Sequence, residues 1–329
     1  MKGWLIVNEY LNTEKFLELR ELFISAAGKK DIELAVYTNA EFCLSLETGI
    51  VKSRAFDNGN PDFVIFYDKD LSLAYALERM GIRLYNSANA IEICDSKAKS
   101  YTALGKSDAR INVPKSFIVP FTYENIGIKS DACFAFLDSV ESEIDYPMII
   151  KESYSSFGMG VHLAHSRSEA IDLICKHGNR ECLLQEYVPT PGIGSRDVRL
   201  QMVGDKCVAA MMRSNDSDYR ANLTNGGVMS EYTPTEEDIK MACDVMKCLK
   251  LDFAGIDIIH DINGRAVFCE ANSNAHFKNL YDLTGINAAE AIFDYAGARH
   301  REQIMNVAGT FVHSAWHQRE DEDRNFSIR

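Results

Sequence analysis

At 329 residues the chain is long for one compact core, and two or three domains are expected. A net charge of −13 argues against nucleic acid as a partner, which needs a basic footprint, and no apolar run approaches the ~18 residues of a membrane span. The nine cysteines lack CxxC or zinc spacing and read as reduced thiols of a cytoplasmic protein.

From the N-terminus, "MKGWLIVNEY" carries a short apolar run that reads as a buried strand rather than a signal peptide. "TEKFLELRELFISAA" follows with apolar residues at helical spacing behind a threonine cap, then strands "IELAVY" and "PDFVIFY" and a helix "SLAYALERMG". This alternation predicts an open α/β domain over 1–92. It lacks GxGxxG after its first strand, so no dinucleotide fingerprint is present.

A second segment, 93–188, opens with one helix expected over 87–106, followed by the strand "VPKSFIV". "YPMIIKESYSSFGMGVHLAHS" reads strand, small-residue loop, strand, and the helix "SRSEAIDLICKH" leads to the strand "ECLLQEYV". Pro189, Pro191, Gly192 and Gly194 then mark a linker. In the third segment, 189–302, "RDVRLQMVG" and "KCVAAMMR" form a hairpin around Gly204-Asp205. Thr233-Pro234-Thr235-Glu236 reads as a capping box, and its helix should bury Ile239, Ala242, Met246 and Leu249. A last helix is expected over roughly 287–301. The charged tail 303–329 is expected to fray or to serve in a subunit contact, and a homo-oligomer is expected.

The hairpin "FAGIDIIHDINGRAVFCEANSN" sets two acids into otherwise apolar strands. Asn263-Gly264 predicts a two-residue type I′ turn, in which Ile262 faces Arg265 and Asp257 therefore faces Glu270. Asn272 shares that face, together with Ile259, Ala266 and Phe268, while Ile256, Ile258, His260 and Ile262 take the other. Two carboxylates ~5 Å apart repel by roughly 3 kcal/mol at an effective dielectric of 20, so either the face is wet or positive charge sits between them. A solvent-facing edge hairpin and a metal site both satisfy this. Two carboxylates and an amide oxygen are hard ligands suited to Mg²⁺.

Mg²⁺ of that kind usually shares its shell with phosphates. Lys151 ends an apolar strand ahead of Gly158 and Gly160, which suits a phosphate-cradling flap or a plain hairpin. "LLQEYVPT" can offer backbone groups to an adenine edge, or is an edge strand leaving its sheet. Lys151, Arg196, Arg199, Arg213 and Arg220 form the candidate basic cluster for an anionic substrate.

The order of these elements resembles the ATP-grasp superfamily, and within it the RimK-like amino-acid ligases, over about 95 to 300. "RDVRLQMVGDKCVAAMMR", "YRANLTNGG" and "AGIDII…CEANS…TGINAAEAI" look like that family's signature segments. The chain departs from the pattern at Ser273-Asn274-Ala275-His276, where members commonly carry Ser-Pro-Gly, and in the flap "SYSSFGMG", which lacks the usual acidic-Gly opening. The resemblance implies an α/β protein with an ATP-grasp fold, α+β sandwich elements and an N-terminal open α/β domain. It implies ATP bound with two Mg²⁺ ions, Mn²⁺ being an alternative. Lys97 and Lys151 would contact the α- and β-phosphates, and the flap with Gly158 and Gly160 would close over them. Glu186 and Val188 would offer backbone groups to adenine, with Gln185, Tyr187 and Asp197 in the same nucleotide site. Asp257, Glu270 and Asn272 would hold the metal. Arg213, Arg220 and Asn222 would serve catalysis near the γ-phosphate and the carboxylate substrate, backed by a loop with Gly226 and Gly227.

The activity implied is a carboxylate–amine ligase that forms an acyl phosphate and adds glutamate or a similar amino acid to a peptide, protein terminus or small metabolite. The alternatives are an ATP-grasp phosphotransferase acting on a hydroxyl and a non-catalytic ATP-binding protein. His276 is the candidate for contacting the incoming group, and the segments 1–92 and 274–281 are expected to shape the acceptor pocket.

Overall fold

Among the described residues the strands form three sheets of four or five strands and one two-stranded hairpin. The computed structural model of the protein describes residues 1–121, 131–155, 158–221 and 226–305. The first sheet is parallel, in the order β2 (Glu33–Thr38), β1 (Lys2–Val7), β5 (Phe63–Phe66), β6 (Leu84–Tyr85). Its crossovers carry α1 (Glu14–Lys29) and α2 (Leu71–Arg79), as parallel strands require. A small hairpin of β3 (Cys43–Leu44) and β4 (Val51–Lys52) sits between them in sequence.

The second sheet is antiparallel, in the order β7 (Ser116–Ile118), β10 (Cys182–Glu186), β8 (Met148–Glu152), β9 (Val161–Ala164). The third, also antiparallel, runs β13 (Val228–Glu231), β12 (Lys206–Asn215), β11 (Ser195–Val203), β14 (Phe253–His260), β15 (Ala266–Asn272). The helices α5 (Asp131–Glu141) and α6 (Arg167–His177) belong to the second segment, α7 (Glu236–Leu249) packs on the third sheet, and α8 (Lys278–Thr284) and a helix over 288–305 complete the chain's described part. One apolar cluster joins Phe23 of α1 and Phe63 of β5 to Phe253, Phe277 and Phe293, so the first and third segments share a core.

Three expectations are corrected. The helix expected over 87–106 is two helices, α3 (Ala88–Asp95) and α4 (Lys97–Gly105), broken at Ser96. Ser96 adopts extended backbone, caps α4 by accepting from the Lys99 amide at 3.2 Å, and bonds Ser153 Oγ at 2.9 Å. The capping box of α7 lies two residues later than expected. Thr235 Oγ1 accepts from the Asp238 amide at 3.1 Å and Asp238 Oδ2 accepts from the Thr235 amide at 2.9 Å. Ile239 lies at the surface, and Met241 and Val245 are buried beside Ala242, Met246 and Leu249.

The third correction concerns the acid-bearing hairpin. Its turn holds three residues, not two. Asp261 pairs with Arg265, the Gly264 amide donates to the Asp261 carbonyl at 2.8 Å, and only Gly264 (φ +78°) is left-handed. The Asp261 carboxylate accepts from the amides of Asn263 at 2.8 Å and Arg265 at 3.0 Å, which stabilises the longer loop. A bulge between Asp257 and Ile258 then inserts Cys269 as an extra residue on β15. Phe268 and Ala266 therefore oppose Ile258 and His260 and lie in the apolar core, not on the acids' face. Beyond the bulge the expected register returns, with Asp257 opposite Glu270 and Gly255 opposite Asn272.

Candidate functional site

Four neighbouring strands put their charged residues on one face of the third sheet. Asp197 opposes Arg213 across β11 and β12, Arg199 opposes Asp257 across β11 and β14, and Asp257 opposes Glu270 across β14 and β15. Arg213 donates to both oxygens of Asp197 at 2.6 and 2.7 Å, and its Nη2 lies 2.9 Å from Asp257 Oδ2. Arg199 holds both oxygens of Asp257 at 2.7 Å. Lys97 Nζ is 3.1 Å from Glu270 Oε1. The repulsion between the two acids is thus met by positive charge. Burial pushes the Asp257 carboxyl up, but Arg199 and Arg213 more than reverse this and hold it below the usual carboxylate range.

A cavity of about 140 Å³ lies between the second and third sheets. It gathers most of the expected nucleotide residues, Lys97, Lys151, Gly158, Gln185 to Val188 and Asp197, with Arg213, Arg220, Asp257 and Glu270. The break at Ser96 aims Lys97 into it. The Lys97 amide donates to the Ser153 carbonyl at 3.1 Å, and its Nζ donates to the Ser155 carbonyl at 2.7 Å. Lys151 Nζ donates to Tyr101 OH at 3.2 Å and sits 5.2 Å from that ring's centre. Gln185 Nε2 donates to the same hydroxyl at 3.1 Å and to Ser116 Oγ at 2.7 Å, so its side chain steadies Tyr101. The Glu186 amide and carboxylate are both taken by the Lys115 backbone at 2.9 Å, leaving its carbonyl as the group it can offer. The Val188 amide has no partner among the described residues.

Gly158 and Gly160 form the β8–β9 turn at φ +72° and +68°, and a Cβ on Gly160 would come within 2.9 Å of the Glu152 side chain. Arg220 chelates Asp218 at 3.0 and 2.8 Å, and its Nη1 donates to the Gly158 carbonyl at 3.4 Å, while Tyr219 OH donates to the Val161 carbonyl at 2.9 Å. These contacts tie the glycine turn to the loop after β12. Asn222, Ser156 and Phe157, and residues 306–329 of the tail, lie outside the described residues.

A second cavity, about 290 Å³, shares Ser155, Arg213 and Glu270 with the first. Its size reaches the lower end of small-molecule pockets, roughly 300–1,000 Å³. Lys15, Tyr67 and Asp68 of the first segment line it together with Asn272, Asn274 and His276. Residues of both 1–92 and 274–281 therefore line this cavity. Arg199 was legible only as a member of the basic cluster. Its two-residue offset from Asp197 on β11 places both on one face, and that is the signal that finds it.

Among the described residues no group of three or more His, Cys, Asp and Glu gathers as a metal cluster, so the candidate donors are two carboxylates and an amide. Asn272 makes no side-chain hydrogen bond among the described residues, so its Oδ1 is free to serve as a ligand. Asp257 Oδ2 is taken by both Arg199 and Arg213, but Asp257 Oδ1 and the Glu270 oxygens each keep a lone pair for a ligand. Asp257, Glu270 and Asn272 therefore fit a hard divalent cation.

The RimK-like ATP-grasp domain model matches residues 94–296. An uncharacterized protein of Mycoplasma pneumoniae is 28% identical over 279 residues, covering 84% of this chain and 93% of the relative. Human beta-citrylglutamate synthase B is 30% identical over 253 residues, 74% of this chain and 62% of that protein. The crystal structure of a RimK domain ATP-grasp protein from Sphaerobacter thermophilus superposes with a TM-score of 0.65 at 19% identity, over 90% of this chain and 99% of the other, which shows a shared fold. With a family match over most of its length, the chain belongs to the RimK-like ATP-grasp family and is an ATP-dependent ligase.

Proposed function

We infer that the protein joins a carboxylate to an amine through an acyl phosphate, with ADP and phosphate as co-products, and that glutamate or a similar amino acid is one substrate. The observation that carries this is the junction of the two cavities at Arg213 and Glu270. A phosphoryl donor in the first cavity and an acceptor in the second would meet there, beside Asp257.

Lys97 and Lys151 supply fixed positive charge to the phosphates, and the turn at Gly158 and Gly160 covers them. Arg213, held by two aspartates, is oriented before any substrate arrives, so it stabilises charge developing on the transferred group and on the tetrahedral oxyanion without reorganising. Asp257, Glu270 and Asn272 would hold Mg²⁺, which when bound neutralises phosphate charge. Arg220, chelated by Asp218, serves the flap side of the same cavity. The human relative's name, a citrylglutamate synthase, supports glutamate as a substrate.

The test is ADP release measured over amino-acid and carboxylate pairs with Mg²⁺ and ATP, followed by the mass of the product. The reading expects a product equal to the two substrates less one water. A phosphorylated product would replace it with the phosphotransferase reading.

A further inference from the structure

β15 is the last strand of the third sheet, so one of its sides has no neighbouring strand among the described residues. An edge strand turns alternate carbonyls away from its sheet, and they stay unpaired unless other groups supply donors. Here side chains supply them at regular spacing. The Cys269 carbonyl accepts from Tyr101 OH at 2.9 Å, and the Ala271 carbonyl from Cys94 Sγ at 3.0 Å. Beyond the strand, the Ser273 carbonyl accepts from Asn86 Nδ2 at 3.1 Å and the Ala275 carbonyl from Tyr67 OH. The four donors come from α4, from α3 and from the residues that follow β6 and β5. None belongs to the third sheet.

The first two of these bonds act next to the candidate metal ligands. A peptide unit is planar, so holding its carbonyl fixes the plane that carries the next residue's Cα. Tyr101 thus fixes the plane entering Glu270, and Cys94 the plane entering Asn272. Lys97 steadies the Glu270 carboxylate besides, at 3.1 Å. Asn272 has no side-chain hydrogen bond among the described residues, so its direction is set through its backbone. Cys94 is buried, which pushes its thiol up to about 12, so it keeps the proton it donates. The Tyr101 hydroxyl also accepts from Lys151 and Gln185, joining the phosphate side of the site to the strand of the ligands. Asn86 donates to the Phe253 carbonyl at 2.9 Å and accepts from the Asp252 amide at 2.6 Å, so it ties the start of β14 to the chain leaving β15.

We propose that Cys94 and Tyr101 are positioning residues for the divalent cation, holding Glu270 and Asn272 in place through the Cys269 and Ala271 carbonyls. Asn86 and Tyr67 anchor the chain beyond them. This role rests on the ligase reading for the reaction, though not for the binding of the cation. A row of donors that only stabilised the fold would raise the melting temperature and leave cation affinity, measured well below it, untouched. A row that positions the ligands changes that affinity directly, as partners behind a metal's ligands do.

The test is an electron paramagnetic resonance titration of Mn²⁺ into the full chain with saturating ADP and no other substrate. Cys94→Ala removes the donor, and Mn²⁺ affinity should fall about tenfold. Cys94→Ser restores a donor at the same place and should recover most of that loss. ADP affinity measured in EDTA should be the same in both variants and the wild type. If Cys94→Ala loses ADP in EDTA, its fold is broken and Tyr101→Phe, whose ring still meets Phe268, decides by the same titration with the same expected fall. Mn²⁺ affinity unchanged in the deciding variant, or Cys94→Ser as weak as a folded Cys94→Ala, would overturn the proposal. So would wild-type protein that binds ADP but no Mn²⁺. Wild-type protein that binds both, yet forms no ADP from ATP with any acid and amine, would count against the ligase reading alone.

Discussion

Arg199 grips both oxygens of Asp257, Nε to Oδ1 and Nη2 to Oδ2, at 2.7 Å each across the β11–β14 pair. Both side chains are largely buried, and Arg213 approaches the same carboxylate from the other side. Taking away one cation leaves a buried negative charge half-compensated, which costs about 3–5 kcal/mol in comparable pairs. Arg199→Met should lower the unfolding free energy by about 3 kcal/mol in a urea titration. Adding Asp257→Asn should recover part of that loss, because the charge left stranded is gone. Strict additivity of the two changes would mean that the pair is not coupled.

Glu270 answers Asp257 across the next strand pair and meets Lys97 at 3.1 Å. Glu270→Gln keeps the shape and removes the charge. ADP release should fall by about 100-fold or more, as when a charge-stabilising group is removed from a preorganised site. The melting temperature should stay within a few degrees, since the Glu270 side chain is partly exposed. Unchanged ADP release would take Glu270 out of the catalytic site.

The bulge at Cys269 sets which way Glu270 points. Deleting Cys269 removes the bulge and leaves Glu270 directly after Phe268, still opposite Asp257 in the turn's own register, and Cys269→Ala leaves the backbone alone. Both variants should retain ADP release, and its loss in the deletion alone would give the bulge a role beyond register.

That hairpin shows what the sequence could and could not reveal. The pairing of Asp257 with Glu270 was legible, but by a route in which two departures cancel, a loop one residue longer and a bulge one residue later. Asp261 bonding its own turn is a local signal that Asn-Gly outweighed in the reading. The bulge has no local signal at all. Likewise Lys97 and Lys151 could be singled out, but the partners that hold the site, Arg199 on Asp257 and Tyr101 under Lys151, depend on which strands become neighbours. Such pairings are tertiary facts. The break at Ser96 is of the same kind, since Ser153 from a distant strand fixes it.

Away from the site, His260 Nε2 meets the fully buried Asp238 Oδ1 at 2.8 Å. This bond raises the histidine, and although burial pushes Asp238 up, its bonds from His260, Tyr232 and Thr235 hold it well below the usual carboxylate range. The histidine's contribution is complete below the unfolded pKa of about 6.5 and is lost as pH rises through its raised value. The aspartate's is present above about 3.9 and is lost as pH falls through its lowered value. The urea midpoint of the wild type should therefore decline as pH rises from about 6.5 through the histidine's raised value. His260→Phe should be less stable at the lower pH and show a flatter slope, and an unchanged slope would remove His260 as its cause.

The account turns on an activated carboxylate forming where the two cavities meet, and hydroxylamine reports on that step directly. Wild-type protein is incubated with ATP, Mg²⁺, hydroxylamine and the acid substrate that supports ADP release, with the amine substrate left out. The account predicts a hydroxamate of the acid in step with ADP. ADP accompanied by a stable phosphoester and no hydroxamate would contradict it.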